Sequence, residues 1–176
     1  MATLMVGLAG GAAFAVLQSQ ANTLTGNSIS AATANLAIST DNSNFSNTKV
    51  GFDFNNIVPG GAAVPLTGFP FQLKNTGGTP LQVKFMVNST PTNPSAVDLS
   101  KVHVVLTTVG STSTQSFSLQ SLISSASSGG LPISTTNLDV ATTLLYKLQV
   151  SMASDAFTGQ TASLGNIDFA FTGLAQ

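Results

Sequence analysis

Only seven side chains in this chain titrate between about pH 3 and pH 8: a lone histidine, His103, and six aspartates, Asp41, Asp53, Asp98, Asp139, Asp155 and Asp168. Cys and Glu are absent. Their absence removes thiol nucleophiles, thiolate metal sites and the zinc-protease arrangement, which needs two His and a Glu at helical spacing. Hydroxyls are plentiful, with 22 Ser and 22 Thr. A Ser-His-Asp triad can therefore be written on paper, but no nucleophile elbow surrounds any serine. His103 lies in Lys101-Val102-His103-Val104-Val105, where alternation puts it opposite the two flanking valines, on a sheet surface. The aspartates are scattered singly, and none forms an Asp-x-Asp-x-Asp calcium loop. A calcium site gathered from distant loops is the one metal arrangement left open. Gly10-Gly11 and Gly60-Gly61 lack the strand, Gly-rich turn and Lys of a phosphate loop. The expectation is a non-enzyme with no cofactor and no resident metal.

Two spacings do point to chemistry done on the chain by others. Asn44-Phe45-Ser46 and Asn88-Ser89-Thr90 are N-glycosylation acceptors in an exported protein, whereas Asn93 is followed by Pro94 and does not qualify.

The residues that would position such groups are unusual in composition. Hydrophobic residues make up 43% of the 176 residues and charged residues 6%, against about 25% charged in an ordinary soluble domain. The charges are five Lys and six Asp, with no Arg. A net charge of −1 supplies no basic footprint for nucleic acid or anionic membrane. So little surface charge favours self-association. Ser and Thr provide the polarity instead, which biases the chain toward strands and loops. Without disulfides, stability must come from the core or from assembly.

Period-two alternation recurs through the chain, punctuated by Gly, Pro, Asn and Ser. Residues 28–39 predict a first strand with Ala34, Leu36 and Ile38 on one face. Residues 50–54 place Val50, Phe52 and Phe54 inward, before a turn at Pro59-Gly60-Gly61. Residues 69–74 bury Phe69, Phe71 and Leu73, and Asn75 to Gly78 turn the chain. Residues 81–88 bury Leu81, Val83, Phe85 and Val87, leaving Lys84 and Asn88 on the solvent face. Residues 101–109 form another strand. Residues 144–152 bury Leu144, Tyr146, Leu148, Val150 and Met152, and residues 167–173 bury Ile167, Phe169 and Phe171. Leu119, Leu122, Ile123 and Ala126 instead follow helical spacing, and Gly129-Gly130 is a stop, so residues 118–128 read as one short helix. Strands so spaced, without long helices between them, predict an antiparallel β-sandwich of the jelly-roll kind. Its domain spans residues 25–176, preceded by an apolar segment over 1–24.

That leading segment admits three readings. Residues 1–17 are apolar apart from Thr3. A secretory signal fits the apolar run, although no Lys or Arg precedes it. A membrane helix needs about 20 apolar residues, and the run stops at Gln18 and contains Gly7, Gly10 and Gly11. A strand fits the alternation of bulky Leu4, Val6, Leu8, Phe14 and Val16 with mostly small residues between them. Such a strand cannot stay alone in water. On that reading it is given to another subunit, with these five residues as anchors.

The order of several blocks resembles a known family. They are GGAAFA at Gly10 to Ala15, NTLTGN at Asn22 to Asn27, ANLAI at Ala34 to Ile38, and FNNIVPG at Phe54 to Gly60. FQLKNTG at Phe71 to Gly77, LLYKLQV at Leu144 to Val150, Gly159-Gln160 and IDFAF at Ile167 to Phe171 follow. The sequence resembles the TasA/camelysin family of extracellular matrix-fibre proteins and their archaeal bundling-pilus relatives over nearly its whole length. The family's aromatic–acidic stretch is replaced here by Val16-Leu17-Gln18-Ser19. The resemblance implies an exported jelly-roll subunit at the cell surface. It implies identical subunits joined head to tail, the leading segment of one completing a sheet of the next, with lateral bundling of such filaments open. Two other classes stand beside it. A monomeric adhesin or glycan-binding sandwich would want exposed aromatics, whereas most Phe fall on buried faces. A subunit like a type IV pilin would want a long leading helix.

Overall fold

Alternation governs the fold throughout. The computed structural model describes residues 34–49, 54, 57–93, 95–111, 113–134, 136–158, 164–165 and 167–176. All belong to the unit Ala32–Gln176, which is considered by itself. Eight strands are described: β1 Leu36–Ser39, β2 Val64–Asn75, β3 Leu81–Val87, β4 Val102–Thr108, β5 Thr114–Ser118, β6 Leu131–Pro132, β7 Thr143–Met152 and β8 Phe169–Ala175. They form two antiparallel sheets, one ordered β1-β2-β7-β4-β5 and one ordered β6-β3-β8. The fold is an all-β sandwich with one short helix. Apart from β1–β2 and β4–β5, every connection between consecutive strands passes from one sheet to the other.

The core lies between the sheets. From the larger sheet it takes Phe71, Leu73, Val102, Val104, Leu106, Tyr146, Leu148, Val150 and Met152, and from the smaller Val83, Phe85 and Val87. Those of β2, β3 and β7, with Val102 and Val104 of β4, are the inward positions that the alternation predicts; Leu106 continues the β4 face. An aromatic stack joins the layers: Phe71 lies 5.0 Å from Phe171, and Phe171 lies 4.7 Å from Phe85 with nearly parallel rings. The helix α1 is Leu119–Ser124, capped by the Ser118 side chain, which accepts from the Ser121 N–H. It seals one end of the core with Leu119 and Leu122, both wholly buried. A 3-10 turn, Ala126–Ser128, follows and ends at Gly129 in the left-handed region. The helical stretch therefore stops where Gly129-Gly130 predicts, but breaks into two short pieces. Among the described residues no helix is long and apolar enough to cross a membrane.

Asn75 fixes one crossing between the sheets. It is fully buried. Its side-chain amide donates to the carbonyls of Thr79 (2.8 Å) and Leu138 (3.0 Å), and its side-chain oxygen accepts from the Gly77 N–H (2.9 Å). Both polar atoms of the buried carboxamide thus have backbone partners.

Three expectations need correction. Residues 28–33 of the expected 28–39 strand lie outside the described residues; the described strand begins at Leu36, past Ala34, and its buried residues are Ala37 and Ser39. Leu36 and Ile38 do share the core-facing side, because Ile38 stands in register with Leu73, yet both are only partly buried. Ala37 and Ser39 stand beside Lys74 and Gln72 on the other face. Phe45 of the following loop lies against Lys74, the ammonium 5.5 Å from its ring centre. Next, Phe69 and Leu144 are half-buried at the margin of the core. Phe69 meets Phe54 edge to face at 5.2 Å. Finally, Ile167, Phe169 and Phe171 face the core but are not enclosed. Residues 50–53 of the expected 50–54 strand lie outside the described residues.

Candidate functional site

Of the half-buried residues, Leu36, Ile38, Ile167, Phe169 and Phe171 converge on one place. β1 and β8 are the terminal strands of their sheets, and the gap between them is an open seam into the core. The seam is a cleft of about 480 Å³. Its floor is Phe71, Leu73 and Leu148 of the larger sheet. Leu36 and Ile38 form one wall, and Ile167, Phe169 and Phe171 the other. Thr40, Asn47, Thr48, Lys49, Asn88 and Asp168 line it as well and supply polar groups. In a closed sandwich these apolar side chains would be covered. Among the described residues no strand covers them.

The two edges beside the seam differ. β1 is partly occupied on its outer side: Ile38 exchanges both main-chain hydrogen bonds with Ser46 of the returning loop, at 2.9 and 3.0 Å. β8 pairs only with β3 among the described residues. The Asp168 carbonyl accepts from the Asn88 N–H, and the Gln176 N–H donates to the Pro80 carbonyl. Even-numbered residues of β8 therefore direct their main-chain groups at β3. The odd-numbered Phe169, Phe171, Gly173 and Ala175 direct theirs outward. Such a row of donors and acceptors, beside a greasy cleft, is a template for one more strand.

The residues singled out for chemistry do not gather. His103 is half-buried on the outer face of β4, in register with Ser118 and Ser151 of the neighbouring strands. Asp98 caps the 3-10 turn Leu99–Lys101, and Lys101 reaches Asp155 at 2.7 Å. The Lys101 hydrogen bond lowers the pKa of Asp155, and the Ser100 hydroxyl and N–H lower that of Asp98. Asp139 and Asp168 are exposed. Among the described residues no group of three or more His, Cys, Asp or Glu is placed to hold a metal ion. Asp53 and the anchor residues Leu4, Val6, Leu8, Phe14 and Val16 lie outside the described residues. Asn44 and Asn88 are both exposed.

No family model, curated protein or solved structure matches the chain. The functional reading therefore rests on the seam and on the sequence itself.

One feature of the site escaped sequence reading. Alternation reports which side chains face the interior, but not whether the interior is closed. The available signal was the set of bulky inward residues in 36–38 and 167–171; the other inward-facing segment expected nearby, 50–54, is described only at Phe54, which meets Phe69 and Phe169 edge to face.

Proposed function

We propose that this chain is a structural subunit of an extracellular filament, a pilus or biofilm-matrix fibre, which polymerises by strand donation. In this reading the apolar segment within residues 1–24 of one copy enters the seam of the next. Its main chain pairs with the outward groups of β8. Leu4, Val6, Leu8, Phe14 and Val16 supply the bulky side chains, some of which fill the cleft over Phe71, Leu73 and Leu148. Strand addition of this kind combines main-chain hydrogen bonds with alternate side chains in pockets. The single observation that carries the reading is a seam beside an edge, neither covered by another strand among the described residues, in a chain whose leading segment alternates bulky and small residues.

The energetics suit the arrangement. Burial of about five bulky side chains at roughly 1.5–3 kcal/mol each yields on the order of 10 kcal/mol. Ordering a free tail of more than about ten residues, Leu4 to Val16 among them, costs at least a comparable amount. The surplus then comes from the half-exposed apolar walls that the strand covers. Donation is head to tail and does not close, so it propagates a filament of identical subunits. No charge is needed at such a joint, in keeping with 6% charged residues. The jelly-roll winding, the extracellular location and the kinship with TasA/camelysin fibres belong to the same proposal, as does a structural rather than enzymatic role.

The rival reading, a monomeric adhesin or glycan-binding sandwich, wants exposed aromatic platforms. The large exposed hydrophobics among the described residues are Val58, Leu66, Val109, Val140 and Leu174, all aliphatic, which favours the filament. The test removes residues 1–24 and compares sedimentation and negative-stain electron microscopy with the full chain. Fibres from the full chain and folded monomers from the shortened one are expected. Fibres from both, or a full-length chain that stays monomeric at every concentration, would overturn the proposal.

A further inference from the structure

We propose that Asn88 is the N-glycosylated residue of this chain and that Asn44 stays bare. This presumes export, as the filament reading does, but not polymerisation.

The two sequons are alike in sequence and differ in how the fold holds them. A glycosyltransferase must take the asparagine amide and the hydroxyl two residues on out of other contacts. At Asn44 both are engaged. The carboxamide nitrogen donates to Asp41 Oδ2 at 2.7 Å and to Ser43 Oγ at 3.2 Å, and the Asn44 main-chain N–H donates to Asp41 Oδ1 at 2.8 Å. Asp41 also accepts from Ser39 Oγ at 2.8 Å and from the Ser43 N–H at 3.1 Å. The partner hydroxyl, Ser46 Oγ, donates to the Thr48 carbonyl. Ser46 is pinned by its main chain as well, through both bonds to Ile38. Freeing the acceptor means breaking these side-chain bonds in a segment already tied to β1 by its main chain.

Asn88 sits just past the end of β3 and is exposed. Its main-chain N–H donates to the Asp168 carbonyl at 2.9 Å, which anchors the backbone and leaves the side chain out of the bond. Alternation puts Asn88 with Lys84 and Met86, on the face away from Phe85 and Val87. The hydroxyl-bearing Thr90 is exposed too. A glycan there would add the solubility that so few charges withhold, at the mouth of the seam and not within its apolar floor.

The donor substrate would be a sugar carried on an isoprenoid lipid phosphate or pyrophosphate. The Asn88 amide nitrogen bonds to the anomeric carbon as the bond from that carbon to the phosphate oxygen breaks. One amide proton passes to a base of the transferase, and the lipid phosphate departs. No electron acceptor is involved.

The experiment uses full-length protein purified from its own cells. Trypsin cleaves after Lys49, Lys84 and Lys101, so the two sequons fall on separate peptides. Tandem mass spectrometry is expected to find a glycan mass on Asn88 in the 85–101 peptide and none on Asn44. An unmodified Asn88, or a glycan on Asn44, overturns the proposal. A second variant tests the cause: Asp41→Ala combined with Ser43→Ala removes both partners of the Asn44 amide and is expected to bring modification to Asn44. If that site stays bare in the folded double variant, the hydrogen-bond explanation fails. Asn88→Gln should still form fibres, so failure here is separable from failure of the filament reading.

Discussion

Phe171 distinguishes a half-built core from a closed one. Truncating a fully enclosed Phe to Ala costs about 3–5 kcal/mol. Phe171 stacks on Phe85 and Phe71 but is only half-buried where it lines the seam. In an isolated subunit lacking residues 1–24, Phe171→Ala should therefore cost about 2 kcal/mol by urea unfolding. The remaining ~2 kcal/mol is realised only when a strand covers the ring, so the variant should bind the leading segment roughly thirtyfold more weakly. The assay is anisotropy of a labelled peptide of residues 1–24 titrated with the shortened protein. Leu106→Ala is the control. Leu106 is buried on β4 and is not among the seam residues, so it should lose about 2–5 kcal/mol of stability and leave peptide affinity unchanged. The reasoning is refuted if Phe171→Ala loses the whole 3–5 kcal/mol in the isolated subunit and binds peptide as tightly as before.

Other expectations follow from the same packing. Asn75→Ala strands the half-buried Thr79 carbonyl and Gly77 N–H and leaves the Leu138 carbonyl with the Leu81 N–H alone; at about 1 kcal/mol per half-buried orphan, a loss of about 2 kcal/mol is expected in denaturant unfolding. Gly130→Ala places a Cβ 2.9 Å from the Phe85 carbonyl oxygen at a φ of +100°, so unfolding should show a loss above about 2 kcal/mol. Burial pushes the phenol of Tyr146, the sole tyrosine, up to about 12. Because the native state holds that proton longer than the unfolded chain, its contribution to stability is complete below about pH 10 and is lost as pH rises toward 12. Absorbance at 295 nm during an alkaline titration should show no phenolate at pH 10.5 while the protein remains folded.

The strands that alternate cleanly were legible in advance. β3, and β7 from Tyr146 onward, bury the residues that their spacing names, and β4 buries Val102 and Val104 opposite His103, because one face of each meets the core. β2 does so from Phe71 onward. β5 was not legible. In Thr114–Ser118 only Phe117 is apolar, and it packs against Phe85 at 5.8 Å, so a polar edge strand gives no periodic signal. β6 has two residues, one of them Pro132, too few to show a period. The inward side of Leu36 and Ile38 was readable, but not the burial of Ala37 and Ser39, which alternation sets on the opposite face. The seam itself was hidden because closure belongs to the whole sandwich, and no local pattern reports it.

Cryo-electron microscopy of assembled material, resolved well enough to trace the backbone along β8, bears most directly on strand donation. The expected map shows a strand from an adjacent subunit hydrogen-bonded to Phe169, Phe171 and Gly173, with its bulky side chains over Phe71 and Leu148. A fibre in which that edge stays bare, or is filled by the subunit's own leading residues, would contradict it.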